Sequence, residues 1–322
     1  MYTQQELTEK INDAVMNIQY HTEPKNLYEP IRYILSIGGK RIRPLLMLMG
    51  YNLYKEDVDT IMNNALALET YHNFTLLHDD LMDHSDMRRG HLTVHKKWDE
   101  NTAILSGDTM LIMAYQLFNK GMKSDEAWTA FIDATLGVGE GQQYDIDFET
   151  RNDVTEEEYM EMIRMKTSLL LGYALKIGAQ LGGADQEDVE HLYTFGEKMG
   201  LAFQLQDDWL DVYGDPKTFK KKLGGDIVDN KKTFMLINAY QQANAEQKQE
   251  LDRWIGAQTF DAEEKIAAVT HIYNILGIDK LALAKIEEMF ALSLQSLDKV
   301  KVAEAKKAEL RAFANKLLNR KY

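Results

Sequence analysis

The chain contains no cysteine, which excludes disulfides, thiolate metal sites and a cysteine nucleophile. The same absence fits a reducing compartment. Proline is scarce, at Pro24, Pro30, Pro44 and Pro216 only, so long intervals run without a helix breaker. No stretch approaches the roughly 18 consecutive apolar residues that a transmembrane helix requires. The opening segment MYTQQELTEKINDAV carries acids where a secretory signal needs a basic start and an apolar run. A soluble cytoplasmic protein is expected. Positive charge is also in deficit: 37 Lys and Arg face 51 Asp and Glu, for a formal net charge of −14. That balance argues against a nucleic-acid partner. It argues against an anionic substrate too, unless the surplus carboxylates hold divalent cations, whose charge reverses the local field.

Helical periodicity is present almost everywhere. It runs through Leu7, Ile11, Val15 and Ile18, through Ile61, Leu66 and Leu68, and through Leu105, Met110, Met113 and Leu117. Met160, Ile163, Leu169 and Leu170 continue it, as do the stretches 192–212 and 281–318. Alternating β-branched strands bounded by turn pairs are missing. Gly182-Gly183 and the YGDP run from Tyr213 to Pro216 read as helix ends. An all-α chain of about a dozen helices is expected. No Ser/Gly/Pro-rich tract divides it, so residues 1–322 read as one domain.

One internal echo carries chemistry. HDDLMDHSD at 78–86 returns as QDDWLDVYGD at 206–215, and both contain Asp-Asp-x-x-Asp late in an apolar helical pattern. Asp79 and Asp83 lie four apart, as do Asp207 and Asp211, so each pair shares a helix face. Carboxylates without His or Cys suit a hard cation, Mg²⁺ above all when a phosphate completes its shell. A single copy would read as an exposed acidic helix end. Two copies, the first followed at once by MRRG, favour a metal site with two sides. Basic residues for phosphates are at hand: Lys40, Arg41 and Arg43 in GGKRIRP, Arg88 and Arg89 in MRRG, Lys166 beside Thr167 in RMKTSLL, and Lys221 and Lys231 around GGDIVDN. GGK is not a P-loop, because the Gly-x-x-x-x-Gly-Lys-Ser/Thr spacing is absent. Arg41 and the Lys220 to Lys222 run read as solvated surface. Lys166 borders an apolar helix face, where a cation is costly unless paired.

The ordered set GGKRIRP, DDLMDHSDMRRG, MKTSLL, FQLQDDWLD and GGDIVDNKKT resembles the trans-isoprenyl diphosphate synthases, which are head-to-tail prenyltransferases; LSGDTML and GEGQQYDIDFE fit as well. The resemblance runs from about Ser36 to Phe234, while the segments outside add little. It implies a single-domain orthogonal helical bundle of the class I isoprenoid synthase type, with a central active-site cavity. It also implies condensation of isopentenyl diphosphate with an allylic diphosphate, and a homodimer. Asp79, Asp80 and Asp83 on one side, and Asp207, Asp208 and Asp211 on the other, would hold about three Mg²⁺ ions on the allylic diphosphate. Arg88, Lys166 and Lys221 match the basic contacts to that diphosphate, with Lys231 nearby. Lys40, Arg43, His72 and Arg89 match the isopentenyl diphosphate pocket. Gln204 matches a position near the reacting centre and Thr167 one that faces the cation. His78 is assigned no role.

In this family the residues just before the first aspartate motif, here Tyr71, Phe74 and Thr75, form the floor of the hydrocarbon pocket. A helix rises about 1.5 Å per residue, so five residues cover about 7.5 Å, close to one isoprene unit. A bulky Phe74 before a small Thr75 favours a farnesyl or geranylgeranyl product, the longer before the shorter. Lys220 stands where the family commonly has Gly, which touches loop geometry rather than chemistry. The basic end NKLLNRKY, with Arg320 and Lys321, reads as a frayed terminus. A class I terpene cyclase would lack the second aspartate motif and GGKRIRP. A non-catalytic partner subunit of a prenyl diphosphate synthase would have lost aspartates that are all present here.

Overall fold

A computed structural model describes residues 1–215 and 223–318. The chain divides into two compact units. One comprises Met1–Thr135, Tyr173–Tyr193 and Lys301–Glu309, the other Leu136–Gly172, Thr194–Val300 and Leu310–Tyr322. The described residues are helical throughout apart from connections and one small hairpin, so the all-α expectation is met.

In the first unit the helix Met62–Met82 packs along the helix Glu100–Lys120. Residues 64–71 of the former are all buried. A helix buried on every side reads as uniformly apolar rather than amphipathic; of its buried polar residues Glu69 pairs with Arg41 and Asn64 accepts from the Met122 amide, while the Thr70 hydroxyl is left without a hydrogen-bond partner. The helix Glu100–Lys120 starts where Asp99 accepts a hydrogen bond from the Thr102 amide at 2.8 Å, an N-cap that satisfies a donor the helix itself cannot. Ile104, Leu105 and Ile112 of this helix remain 43%, 59% and 60% exposed.

The hairpin pairs Met87–Arg88 with His91–Leu92, Met87 opposite Leu92 and Arg88 opposite His91. Its two central residues, Arg89 and Gly90, both have positive φ, 53° and 79°, as a two-residue turn of type I′ demands. Sequence periodicity cannot register strands of two residues, so this element is an addition to the expected architecture.

In the second unit Tyr159, Met162, Leu201, Leu205, Phe234, Leu251, Ile272 and Ile286 form a buried core. The helix Glu156–Ile163 begins with a capping box in which Thr155 and Glu158 exchange hydrogen bonds. It does not run straight into the helix Leu169–Gly182, as the apolar period implies. The turn Arg164–Ser168 is π-helical. Neighbouring backbone crowds this turn: a Cβ on Gly141 would fall 2.4 Å from the Lys166 amide nitrogen, and one on Gly200 would fall 2.7 Å from the Ser168 Cα. Widened turns of this kind are most often found at functional sites, and Lys166 and Thr167 sit in it.

No single described helix is long and apolar enough to cross a membrane; the helices Ala262–Leu276 and Ile278–Lys299 pass such a test only as a pair bent by 71°. Their apolar residues Val269, Ile272, Tyr273, Ile278, Ala282 and Ile286 belong to the buried core of the second unit.

Candidate active site

The first aspartate cluster closes the helix Met62–Met82, with Asp83 at its C-cap. Its three carboxylates are not equivalent. Asp80 is 1% exposed and is gripped by Arg88, whose Nε lies 2.8 Å from both carboxylate oxygens and whose Nη2 lies 2.7 Å from Oδ1. Burial pushes the Asp80 carboxyl above its ordinary range, and Arg88 opposes that shift. A buried carboxylate persists only with such a partner. Asp79 is half-buried and Asp83 exposed, and they remain on one helix face. The hairpin explains the order of residues in MRRG: its tight turn aims Arg88 at Asp80 and leaves Arg89 to the GGK loop.

Arg89 donates through Nη1 to the Gly38 carbonyl. A Cβ on Gly39 would lie 2.6 to 2.8 Å from the Arg89 guanidinium, so the glycine leaves the space that the arginine uses. Arg43 Nη1 is 3.0 Å from His72 Nε2. Burial, reinforced by Arg43 and Arg89, holds the His72 imidazole well below its usual range, so the ring is neutral. The Arg43 guanidinium is itself pushed down to about 10 by burial, and its Nε is buried with no hydrogen-bond partner. Cations gathered in this way repel each other, and an anion is the natural relief. Lys40, on the same loop, is exposed.

Arg41 is a correction to the sequence reading. It is not solvated surface: its side chain is 3% exposed and its Nη1 lies 2.5 Å from Oε1 of Glu69, which is 2% exposed. Its Nη2 donates to the Leu35 carbonyl at 2.6 Å, and Asn73 Nδ2 donates to the same Glu69 oxygen at 2.8 Å. The Arg41 backbone is left-handed, with φ 48°, a conformation disfavoured for any residue with a Cβ. The ion pair with Glu69 ties down the junction between the loop that carries Lys40 and the helix Ile42–Asn52, whose first turn carries Arg43.

The second cluster lies on the helix Gln186–Tyr213 and repeats the pattern of the first. The middle carboxylate, Asp208, is 8% exposed; it accepts from the Tyr159 hydroxyl and, at 2.9 Å, from Gln204 Nε2. Burial, with Asp226 adding repulsion, pushes it up to about 8. Gln204 Oε1 in turn lies 3.0 Å from Thr167 Oγ1, so two residues singled out separately in sequence prove to be one hydrogen-bonded row. Lys166 is paired with Asp145 at 2.5 Å. Asp211 accepts from the Asp226 amide at 3.0 Å and burial pushes it up to about 6. Asp226 faces Lys231 at 3.5 Å. Lys221 lies outside the described residues, as do Lys220, Lys222, Arg320 and Lys321.

Sequence reasoning missed Tyr159, Asp145, Glu69 and the part played by Asp226. Asp145 had a signal, since GEGQQYDIDFE fitted the resemblance. Tyr159 had none.

Of the three residues expected at the floor, Tyr71 is buried and donates to the Thr135 carbonyl at 2.7 Å. Thr75 donates back to the His72 carbonyl at 2.8 Å. The Phe74 ring stands between Tyr71 and His78, with centroids 5.5 and 4.9 Å away. His78, given no role from sequence, braces Phe74 edge-on.

Among the described residues no three His, Asp or Glu side chains converge as a ready-made ion cage. Each cluster instead offers a pair of oxygen ligands on one helix face. Mg²⁺ is usually bound in that way, by one or two carboxylates with phosphate and water completing its octahedron. The donor set fits that ion.

Residues 24–274 match the polyprenyl synthetase family. The chain is 36% identical to the geranylgeranyl diphosphate synthase of Methanosarcina mazei over 282 residues, covering 86% of each. It is 38% identical to the geranylfarnesyl diphosphate synthase of Natronomonas pharaonis over 258 residues, 74% of this chain and 75% of that one. A crystal structure of a geranylgeranyl pyrophosphate synthase superposes with a TM-score of 0.94 at 43% identity, covering 100% of both chains. A match of this extent, over the segment that holds both aspartate clusters, means that the chain belongs to the polyprenyl synthetase family and is a prenyltransferase.

Proposed function

We propose that this protein condenses isopentenyl diphosphate with an allylic diphosphate, head to tail and with Mg²⁺, to give farnesyl or, in preference, geranylgeranyl diphosphate. The observation that carries the reading is the shared build of the two clusters. In each Asp-Asp-x-x-Asp the middle carboxylate is buried on a partner, and the outer two stand four residues apart on one face. In this reading Asp79, Asp83, Asp207 and Asp211 hold Mg²⁺ on one allylic diphosphate, while Asp80 and Asp208 brace the clusters and stand nearest as further ligands. Bound there, the ions offset the charge that grows on the departing diphosphate. Arg88, Lys166 and Lys231, with Lys221, take the remaining negative charge. Lys40, Arg43, His72 and Arg89 bind the isopentenyl diphosphate. The neutral His72 ring serves as a hydrogen-bonding group there, not as a cation. The allylic C–O bond breaks, the isopentenyl double bond attacks the resulting cation, and a proton passes to the released diphosphate. Thr167 and Gln204 line the path of that cation with oxygen dipoles, and the apolar helix faces exclude the water that would capture it. We read the two units as one catalytic domain working in the cytoplasm.

The test is a product assay with purified protein, Mg²⁺, labelled isopentenyl diphosphate and each allylic primer in turn. A Mg²⁺-dependent ladder ending at C15 or C20 is expected. A folded protein that extends no primer would instead be a partner subunit. Phe74→Ala is expected to lengthen the main product by about one isoprene unit, since it removes a ring roughly 7 Å below the first aspartate; an unchanged product would place the floor on other residues.

A homodimer belongs to the same reading. Ile104 and Ile112 sit eight residues apart, on one stripe of the helix Glu100–Lys120, and stay about half exposed. An apolar stripe of that kind marks an association surface, and a second copy is its occupant here. Ile112→Glu should shift the species seen by light scattering from dimer toward monomer; a dimer that survives the charge would exclude this face.

A further inference from the structure

The geometry points to Lys265 as a positioning residue that holds the loop carrying Asp226 and Lys231 against the second aspartate cluster. This rests on the reading of that cluster as the metal side of the site. Lys265 lies beyond the segment over which the sequence resemblance runs, on the helix Ala262–Leu276. It is 0% exposed, which for an ammonium demands compensation on every side. The compensation comes almost entirely from the loop. Nζ donates to the Val228 carbonyl at 3.0 Å and to Asn230 Oδ1 at 2.6 Å, and sits 4.2 Å from the centre of the Phe260 ring.

Those contacts fall at a specific place. Asp226 lies in the one-turn helix Gly225–Val228, and Val228 is its last residue. Asn230 is left-handed, with φ 57°, and its Nδ2 donates to the Ile255 carbonyl at 3.1 Å. Lys231 follows at once, and its amide returns to the Asp226 carbonyl at 2.9 Å. The loop is therefore pinned at two points. At its start the Asp226 amide and the Gly224 amide are held by the side chain and carbonyl of Asp211. At its end Lys265 holds Val228 and Asn230. The same helix supplies the bed for Gly224, where a Cβ would come within 2.6 to 2.9 Å of the Ile266 side chain. The contacts of Lys265 are with the loop and the Phe260 ring, so it acts through where it fixes Asp226 and Lys231. Outer groups that orient metal-binding side chains in this way are commonly worth about 10-fold to 100-fold in metal affinity or activity.

The test uses Lys265→Met, which keeps the apolar stem and removes the donors, and Asn230→Ala, which removes the shortest acceptor; Asn230→Asp, which keeps that acceptor and loses the bond to the Ile255 carbonyl, is their control and measures what the loss of that bond alone costs. All three are made in the full chain. Amide hydrogen exchange is read by mass spectrometry without ligands, and turnover is titrated against Mg²⁺. In the first two variants exchange is expected to rise about 10-fold or more at residues 224–231 while the helix cores keep their protection. The Mg²⁺ concentration for half-maximal rate should rise about 10-fold, with the KM for isopentenyl diphosphate unchanged. A role confined to global stability would move the melting temperature but neither local exchange nor the Mg²⁺ requirement. Unchanged exchange and unchanged Mg²⁺ requirement in either folded variant overturns the proposal, and if Lys265→Met does not fold, Asn230→Ala alone decides it. A wild-type protein that elongates nothing would sink the proposed function and still leave the exchange result to judge the pinning of the loop.

Discussion

Asp79→Ala and Asp207→Ala are each expected to lower turnover by about 1,000-fold, with melting temperatures close to that of the unaltered chain. The size follows from the role: charge stabilisation by a bound ion is worth several kcal/mol at the transition state, and about 1.4 kcal/mol is tenfold in rate. The unaffected stability follows from position. Asp79 and Asp207 are only half-buried, and removing a carboxylate beside Asp80 or Asp208 relieves like-charge repulsion. The middle aspartates should behave differently. Asp80→Ala would leave the Arg88 guanidinium without its bidentate partner, so stability falls together with rate. Steady-state kinetics with circular-dichroism melts on the three variants separate the two behaviours. Near-native turnover in both Asp79→Ala and Asp207→Ala would end the reading of two clusters on one diphosphate.

Glu69→Leu carries the largest expected effect on stability. It would leave Arg41 charged and buried with one carbonyl partner. Breaking a buried pair from one side costs about 3 to 5 kcal/mol, a fall in melting temperature on the order of 10 °C for a chain of this size. Removing both charges, in Arg41→Met with Glu69→Leu, should restore most of the loss, because the cost lies in the stranded charge and not in the absent attraction. Calorimetry on the two single variants and the double one measures that coupling. Additive losses would mean that Arg41 and Glu69 do not stabilise the loop as a pair.

Much of this site was readable from the chain alone, and for a definite reason. Apolar periodicity is a local property, so the helices and the ends at Gly182 and Tyr213 were legible. Spacing within a helix is local too, so Asp79 with Asp83 and Asp207 with Asp211 could be placed on shared faces. The hairpin at 87–92 escaped because two residues per strand carry no period. The π-helical turn under Lys166 and Thr167 escaped because Gly141 and Gly200, distant in sequence, crowd it.

The chain by itself thus determined the helical class, the positions of both aspartate motifs and the stock of cations for phosphate. What it could not rank was which acids and bases would be buried. Asp80 and Asp79 are adjacent and chemically identical, yet one ends beneath Arg88 and the other does not. Arg41 and Arg43 stand two residues apart, and one is spent on Glu69 while the other meets His72. Tyr159 reaches Asp208 from 49 residues away, and Lys265 reaches Asn230 from 35. Desolvation depends on every neighbour within a few ångströms, and those neighbours come from remote parts of the chain, so only the tertiary structure could assign each charge its partner.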